Sequence, residues 1–301
     1  MLGVAINSTL ADEAAVDAAR YSTNSRAGYD WWSLQQVKRS NVPRVSDTDW
    51  IRNPIDIFVL AKLQENGLTP TAEAEPRVLI RRLYYDLHGL PPTPEQIDDF
   101  VSHPTDAAYQ TLVDNLLASP HYGERWARHW LDVARFGESD GFERNDARDN
   151  QWYYRDWVIR ALNDDMPYDE FARLQIAGDV LRPGREGLAA AAFLTAGVHN
   201  TVIGSSEFMK RTARQDELEE IAGTVGQTFV GLTINCARCH DHKFDPITQT
   251  EYYRFVSALG GVYHGEKEFR DAAAVAGAAQ VQEKIAELNE QIAAIDAPAR
   301  Q

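Results

Sequence analysis

The chain has 301 residues, 44% of them hydrophobic, and only two cysteines, so it can bury a core without disulfides and its thiols are free for chemistry. Asp and Glu outnumber Lys and Arg by 45 to 30, a formal charge of -15 with no basic cluster to offset it, which argues against nucleic acid and anionic lipid as partners. No apolar run reaches the roughly 18 residues that a bilayer span requires, so no membrane span is expected.

The opening stretch, MLGVAINSTLADEAA, has a short apolar run but neither a basic n-region nor a small-residue cleavage site, so a signal peptide is not evident. Residues 1–46 read as an N-terminal arm, polar except for YDWWSLQQV, whose Trp31 and Trp32 are expected to dock it. Helical spacing begins in NPIDIFVLAKLQENGL, where Ile55, Phe58, Val59 and Leu63 share a face until Gly67. A second helix stops at Gly89, and a third starts with Thr93 as N-cap and Pro94 in the first turn. DAAYQTLVDNLLASP and HYGERWARHWLDVARF continue the pattern, and NQWYYRDWVIRALNDDMPYDEFARLQIAGDV gives two helices broken at Pro167. Residues 186–199 are Ala-rich and helical in pattern, and KRTARQDELEEIAGTVGQTFVGL forms an amphipathic helix running into the cysteines. Strand signals are almost absent. The expected fold class is mainly α, an irregular multi-helix domain over 47–262 with long loops and little or no β-sheet. Residues 263–301 read as a linker and short heptad helix, with Val281, Ile285, Leu288, Ile292 and Ile295 on its seam, and as the stub of a longer protein.

Both cysteines fall in NCARCHDHKFDPI, as Cys236-Ala-Arg-Cys239-His240. Chance places two cysteines and a histidine in this arrangement about twice in ten thousand trials, so the spacing calls for a chemical reason. In c-type cytochromes both thiols add to the haem vinyl groups, and the adjacent histidine is thereby set under the iron. Zinc is a competing cofactor, held by the two thiolates with two of His240, His242 and His264, although no second ligand pair of suitable spacing completes the set. A redox thiol pair or an inert turn is a third reading, without the strand that a thioredoxin-like motif wants.

On ERWARHWLDVARF, Trp126, His129, Trp130 and Val133 share one helical face, which is expected to point His129 inward. Asp132 lies one turn on and would orient that ring, so His129 is either a core histidine bonded to a neighbour or a candidate distal iron ligand. His199, His121, His264, Met209 and Met166 are further candidates for the same place, and His242 is assigned instead to a haem propionate with Arg238 and Lys243. LDVARFGESDGFERNDARDN gathers Asp132, Glu138, Asp140, Glu143, Asp146 and Asp149 with Arg135, Arg144 and Arg148. That set suits acid/base chemistry, with Asp132, Arg135 and Asp140 as candidate catalytic residues, or a solvated ion-paired loop; it does not fit an EF-hand. Asp241 and Asp245 are expected to cap the turn or helix that follows them.

The blocks GLPPTPEQIDDF, LLASPHYGERWARHWLDVARF, YYRDWVIRALNDDMPYDEFARLQIAGDVL and GLTINCARCHDHKFDPITQTEYYRF occur in this order. Together they resemble the planctomycete cytochrome-c-like domain, a domain of unknown function in large exported proteins, over about residues 28–264. The resemblance implies a haem c at Cys236, Cys239 and His240, with the block at His129, Asp132 and Arg135 nearby. It also implies a periplasmic or extracellular location and a redox partner domain or protein, in proteins associated with carbohydrate. The expected function is a c-type haem-binding electron-transfer module, possible carbohydrate breakdown being its context. The alternatives are a metal-dependent or acid/base hydrolase using His129, Asp132 and Asp140, and a zinc-stabilised binding module.

Overall fold

The computed structural model describes residues 22–23, 25–46, 49–269 and 272–296; the opening stretch and the side chain of Ile295 lie outside the described residues. Eleven α-helices occur among them: α1 (Pro54–Glu65), α2 (Pro76–Leu87), α3 (Pro94–Ser102), α4 (Asp106–Leu117), α5 (Pro120–Val133), α6 (Trp152–Asn163), α7 (Tyr168–Leu181), α8 (Arg185–Ala191), α9 (Glu207–Val225), α10 (Gln249–Ala258) and α11 (Ala272–Asp296). The fold is mainly α, and the β pairing among the described residues is one isolated bridge, Ser139 to Ala147. No helix among the described residues is long and apolar enough to cross a membrane.

Local chemistry sets the helix starts. Thr93 caps α3 as the sequence suggests, its hydroxyl accepting from the Gln96 amide while Gln96 returns a bond to the Thr93 N–H. Asn53 and Thr248 make the same reciprocal box at α1 and α10. The Ala-rich stretch is helical through α8 and tightens into a 3-10 turn over Ala192–Thr195. Within α7 the backbone kinks at Ala177, beside the point where Gly178 and Gly187 bring α7 and α8 into backbone contact. Helix α9 widens into a π turn over Gly226–Val230 and stops at Gly231, whose φ of 71° is left-handed, as helix-ending glycines commonly are.

The packing forms two apolar clusters. The smaller joins Ile80, Tyr84, Phe100 and Leu116 from α2, α3 and α4. The larger runs through α5 to α10 and includes Tyr154, Trp157, Phe193, Ile221 and Tyr252. The face predicted for α1 is not its buried one: Ile55, Phe58 and Val59 are exposed and Leu60 is buried. Apolar residues stand on several sides of PIDIFVLAKL, so spacing alone does not select a face. Trp31 docks edge-on against Phe244 at 5.4 Å, whereas Trp32 is 78% exposed and docks nothing, a correction to the pairing expected of them. The seam residues Val281, Ile285, Leu288 and Ile292 are exposed along α11.

Candidate functional site

Cys236 lies in the 3-10 turn Ile234–Arg238 and Cys239 directly follows it; both are exposed and unpaired. The turn is pinned from below by fully buried Ala237 and from α9 by Arg238, which pairs with Asp216 at 2.7 Å and with Glu219. Asp216, and Glu219 with it, hold the Arg238 guanidinium above its ordinary value against the cost of burial. From α10, the Gln249 amide at 3.0 Å and the Tyr253 hydroxyl at 3.2 Å both donate to the Arg238 carbonyl. Exposed His240 places Nδ1 2.7 Å from the Asp241 carbonyl, which makes Nδ1 the protonated nitrogen and leaves Nε2 as the lone-pair atom.

The neighbouring histidine has a different role from the one the sequence suggested. His242 is buried, and its Nδ1 accepts from the backbone N–H of Asp245 at 2.7 Å and of Phe244 at 3.2 Å. Its Nε2–H then donates to Thr233 Oγ1 at 3.1 Å, so both ring nitrogens are spent on holding the loop and none reaches a propionate. Arg238, committed to α9, is likewise withdrawn from that role. Asp241 does cap, accepting from the Gln249 N–H at 2.9 Å at the start of α10, whereas Asp245 turns toward His242 at 3.5 Å.

His129 does not point inward. It is exposed, with its ring against Trp126 at 5.5 Å, because the buried face of α5 runs through Gly123 and Ala127. Asp132 is exposed too. Arg135 follows α5 in left-handed conformation at φ 57°, a place glycine usually takes, and reaches across to Glu220 at 2.6 Å and Gln227 at 3.0 Å. Asp140 is bound in a largely buried ion pair with Arg148 at 2.5 Å. Arg148 also donates to the carbonyls of Thr195 at 3.1 Å and Gly197 at 2.8 Å, while the Asp140 carbonyl accepts from the His199 N–H at 2.9 Å. The acid-rich segment is thus partly an internal ion-paired scaffold.

That scaffold presents His199 to a cluster the sequence did not disclose. His199, Glu217 and His264 each offer one ligand atom within 4.8 Å of the other two, and among the described residues no other group of three His, Cys, Asp or Glu side chains does so. His264 Nδ1 lies 2.6 Å from Glu217 Oε1, and His199 Nδ1 lies 3.5 Å from the same oxygen. The two imidazoles stack with centroids 4.0 Å apart. Arg214, one turn before Glu217 on α9, pairs with its Oε2 and donates to the carbonyls of Gly260 at 3.0 Å and Val262 at 2.6 Å, drawing the His264 segment onto the helix. Burial raises the Glu217 carboxyl, but Arg214 and His264 outweigh it and hold the group below its usual range. Burial also lowers the His264 imidazole, which Glu217 opposes and His199 and Arg148 reinforce.

A wider concavity of about 780 Å³ lies over α2, α3 and α4, lined by Tyr84, His88, Phe100, His103 and His121 among others. His88 Nε2 is taken by the Leu116 carbonyl at 2.9 Å, and His121 Nδ1 by Glu124 at 2.9 Å.

A family model described as PSCyt2, a protein of unknown function (DUF1549), matches residues 54–263. No curated protein and no solved structure gives a match.

Proposed function

Because the chain belongs to the PSCyt2 family of proteins of unknown function, its own residues must carry the functional reading, and we propose a c-type haem-binding electron-transfer module centred on Cys236, Cys239 and His240. The observation that carries this is the state of the turn: two unpaired, exposed thiols with an adjacent histidine whose Nδ1 is fixed by a backbone carbonyl. Metal-ligating histidines commonly have their second nitrogen held in this way, which orients the ring and raises its basicity. Zinc is the weaker reading at this turn, since a closed structural site needs four convergent ligands, and among the described residues no three His, Cys, Asp or Glu side chains converge here as they do around Glu217.

In this reading Cys236 and Cys239 would attach the haem covalently and His240 would offer Nε2 to its iron. The bound haem supplies one-electron redox chemistry. Buried Ala237 and ion-paired Arg238 would anchor the turn that carries the attachment points. The cytochrome-c-like character, an exported location and a redox partner linked to carbohydrate breakdown belong to the same proposal. His129 is not retained as the distal ligand, being exposed against Trp126.

The test is export of the chain with a c-haem maturation system, followed by a visible spectrum and a haem stain after denaturing electrophoresis. A Soret band and a stained band that disappears in Cys236→Ala/Cys239→Ala are expected. A colourless chain, or a stained band that survives that double replacement, overturns the assignment.

A further inference from the structure

We propose that His199, Glu217 and His264 form a separate binding site for one divalent first-row transition metal, with zinc as its simplest occupant. The site uses side chains other than those of the cysteine turn and is independent of the haem reading.

The distances fit the chemistry. Two ligand atoms each about 2.1 Å from a tetrahedral metal lie about 3.4 Å apart. His199 Nδ1 and Glu217 Oε1 are already 3.5 Å apart. His264 Nδ1 and Glu217 Oε1, at 2.6 Å, are joined by a proton, which a metal ion replaces by opening that contact by under one ångström. Two imidazoles and one carboxylate are the donor set of open zinc and non-haem iron(II) sites, and a poor one for calcium or magnesium, which require mostly oxygen ligands.

His264 and Glu217 also help line a cavity of about 10 Å³, room for about one water beside the cluster. The supporting residues are also arranged as a metal site needs. Arg214 takes the outer oxygen of Glu217 and fixes which oxygen faces the histidines. Arg148 and Asp140 fix the backbone at His199, and Arg214 fixes it at Val262, so both histidine segments are held before any ion arrives. Side-chain exposures of 28%, 16% and 13% for His199, Glu217 and His264 place the cluster just below the surface, with an entry side at His199. Three protein ligands leave a fourth position for water or an anionic ligand.

The test is titration of the metal-stripped full chain with zinc under equilibrium dialysis, repeated with cobalt(II) for its visible bands. One equivalent is expected to bind the wild-type chain and, equally, the Cys236→Ala/Cys239→Ala variant, which separates this site from the haem proposal. Glu217→Gln and His264→Ala are each expected to weaken zinc by about 100-fold or more, a ligand loss exceeding the 10- to 100-fold typical of an outer partner. His199→Ala, at the exposed rim, provides a second ligand variant if the buried ones fail to fold, as judged by circular dichroism. Absence of a bound equivalent in the wild-type chain, its loss in the double cysteine variant alone, or full affinity in folded His199→Ala overturns the proposal.

Discussion

Gln175 is a fully buried amide in the centre of the larger core, and its neighbours explain why a polar group is kept there. Its Oε1 accepts from the Tyr154 hydroxyl at 2.7 Å and from the Trp130 indole N–H at 2.7 Å, while its Nε2 donates to the Phe171 carbonyl at 3.3 Å. Replacing it by Leu fills the space but leaves both aromatic donors only each other, at 3.1 Å. Leaving a buried donor unsatisfied costs about 1–3 kcal/mol, and the loss is shared by two donors. Gln175→Leu is therefore expected to lower unfolding stability by about 2–3 kcal/mol, read as a fall in the urea midpoint with an unchanged slope. At this scale the sequence was legible where structure followed from local spacing. The cysteine turn and the Thr93 cap are set within a few residues, and the Asp241 cap within eight. His129 was misread because helical spacing places it among Trp126, Trp130 and Val133 but does not say which side of α5 meets the core. His242 was misread because the bonds that occupy it come from backbone amides, which no side-chain pattern announces.

The closest packing between elements is at α7 and α8, and glycine makes it possible. A Cβ on Gly187 would stand 2.0 Å from the Arg182 carbonyl oxygen and 2.1 Å from that of Gly178, both backbone atoms that cannot swing aside. Alanine favours a helix over glycine by about 1 kcal/mol, but an overpacked contact of this kind costs about 3 kcal/mol. Gly187→Ala is expected to be destabilising by about 2 kcal/mol in denaturant unfolding. Gly261→Ala, where nothing lies within 4 Å, should change little. Most helices were legible because caps, prolines and periodicity agree over short stretches. The exposed face of α1 and the kink at Ala177 were not, since both depend on what the helix packs against.

Across the molecule, the alkaline limit of stability is set by buried phenols. Burial, with Glu219 adding to it, pushes Tyr252 up to about 12, and burial raises Tyr154 as well. In the unfolded chain these groups ionise near 10.0. A raised folded value means that the stabilising contribution is complete below pH 10 and is lost as pH rises through the folded value. A shift of about two units corresponds to about 3 kcal/mol for Tyr252. The urea midpoint is expected to fall between about pH 10 and 12. Tyr252→Phe should flatten part of that fall. On this scale the mainly α architecture was legible, because helical periodicity is a chain-wide signal. The His199, Glu217 and His264 cluster was not. Both histidines stood out singly as ligand candidates, but Glu217 had no distinguishing neighbour, and only the folded chain brings the three together.

That separation gives the cluster an order in time. His264 follows Glu217 by 47 residues, which at ordinary synthesis rates of about 5–20 residues per second is an interval of about 2–10 s. Arg214 and Glu217 stand one turn apart on α9, so once that helix has formed the carboxylate has a partner without help from His264. The pairing of Glu217 with Arg214 is thus local to one helix, and the histidine segment closes over a charge pair that this helix supplies by itself.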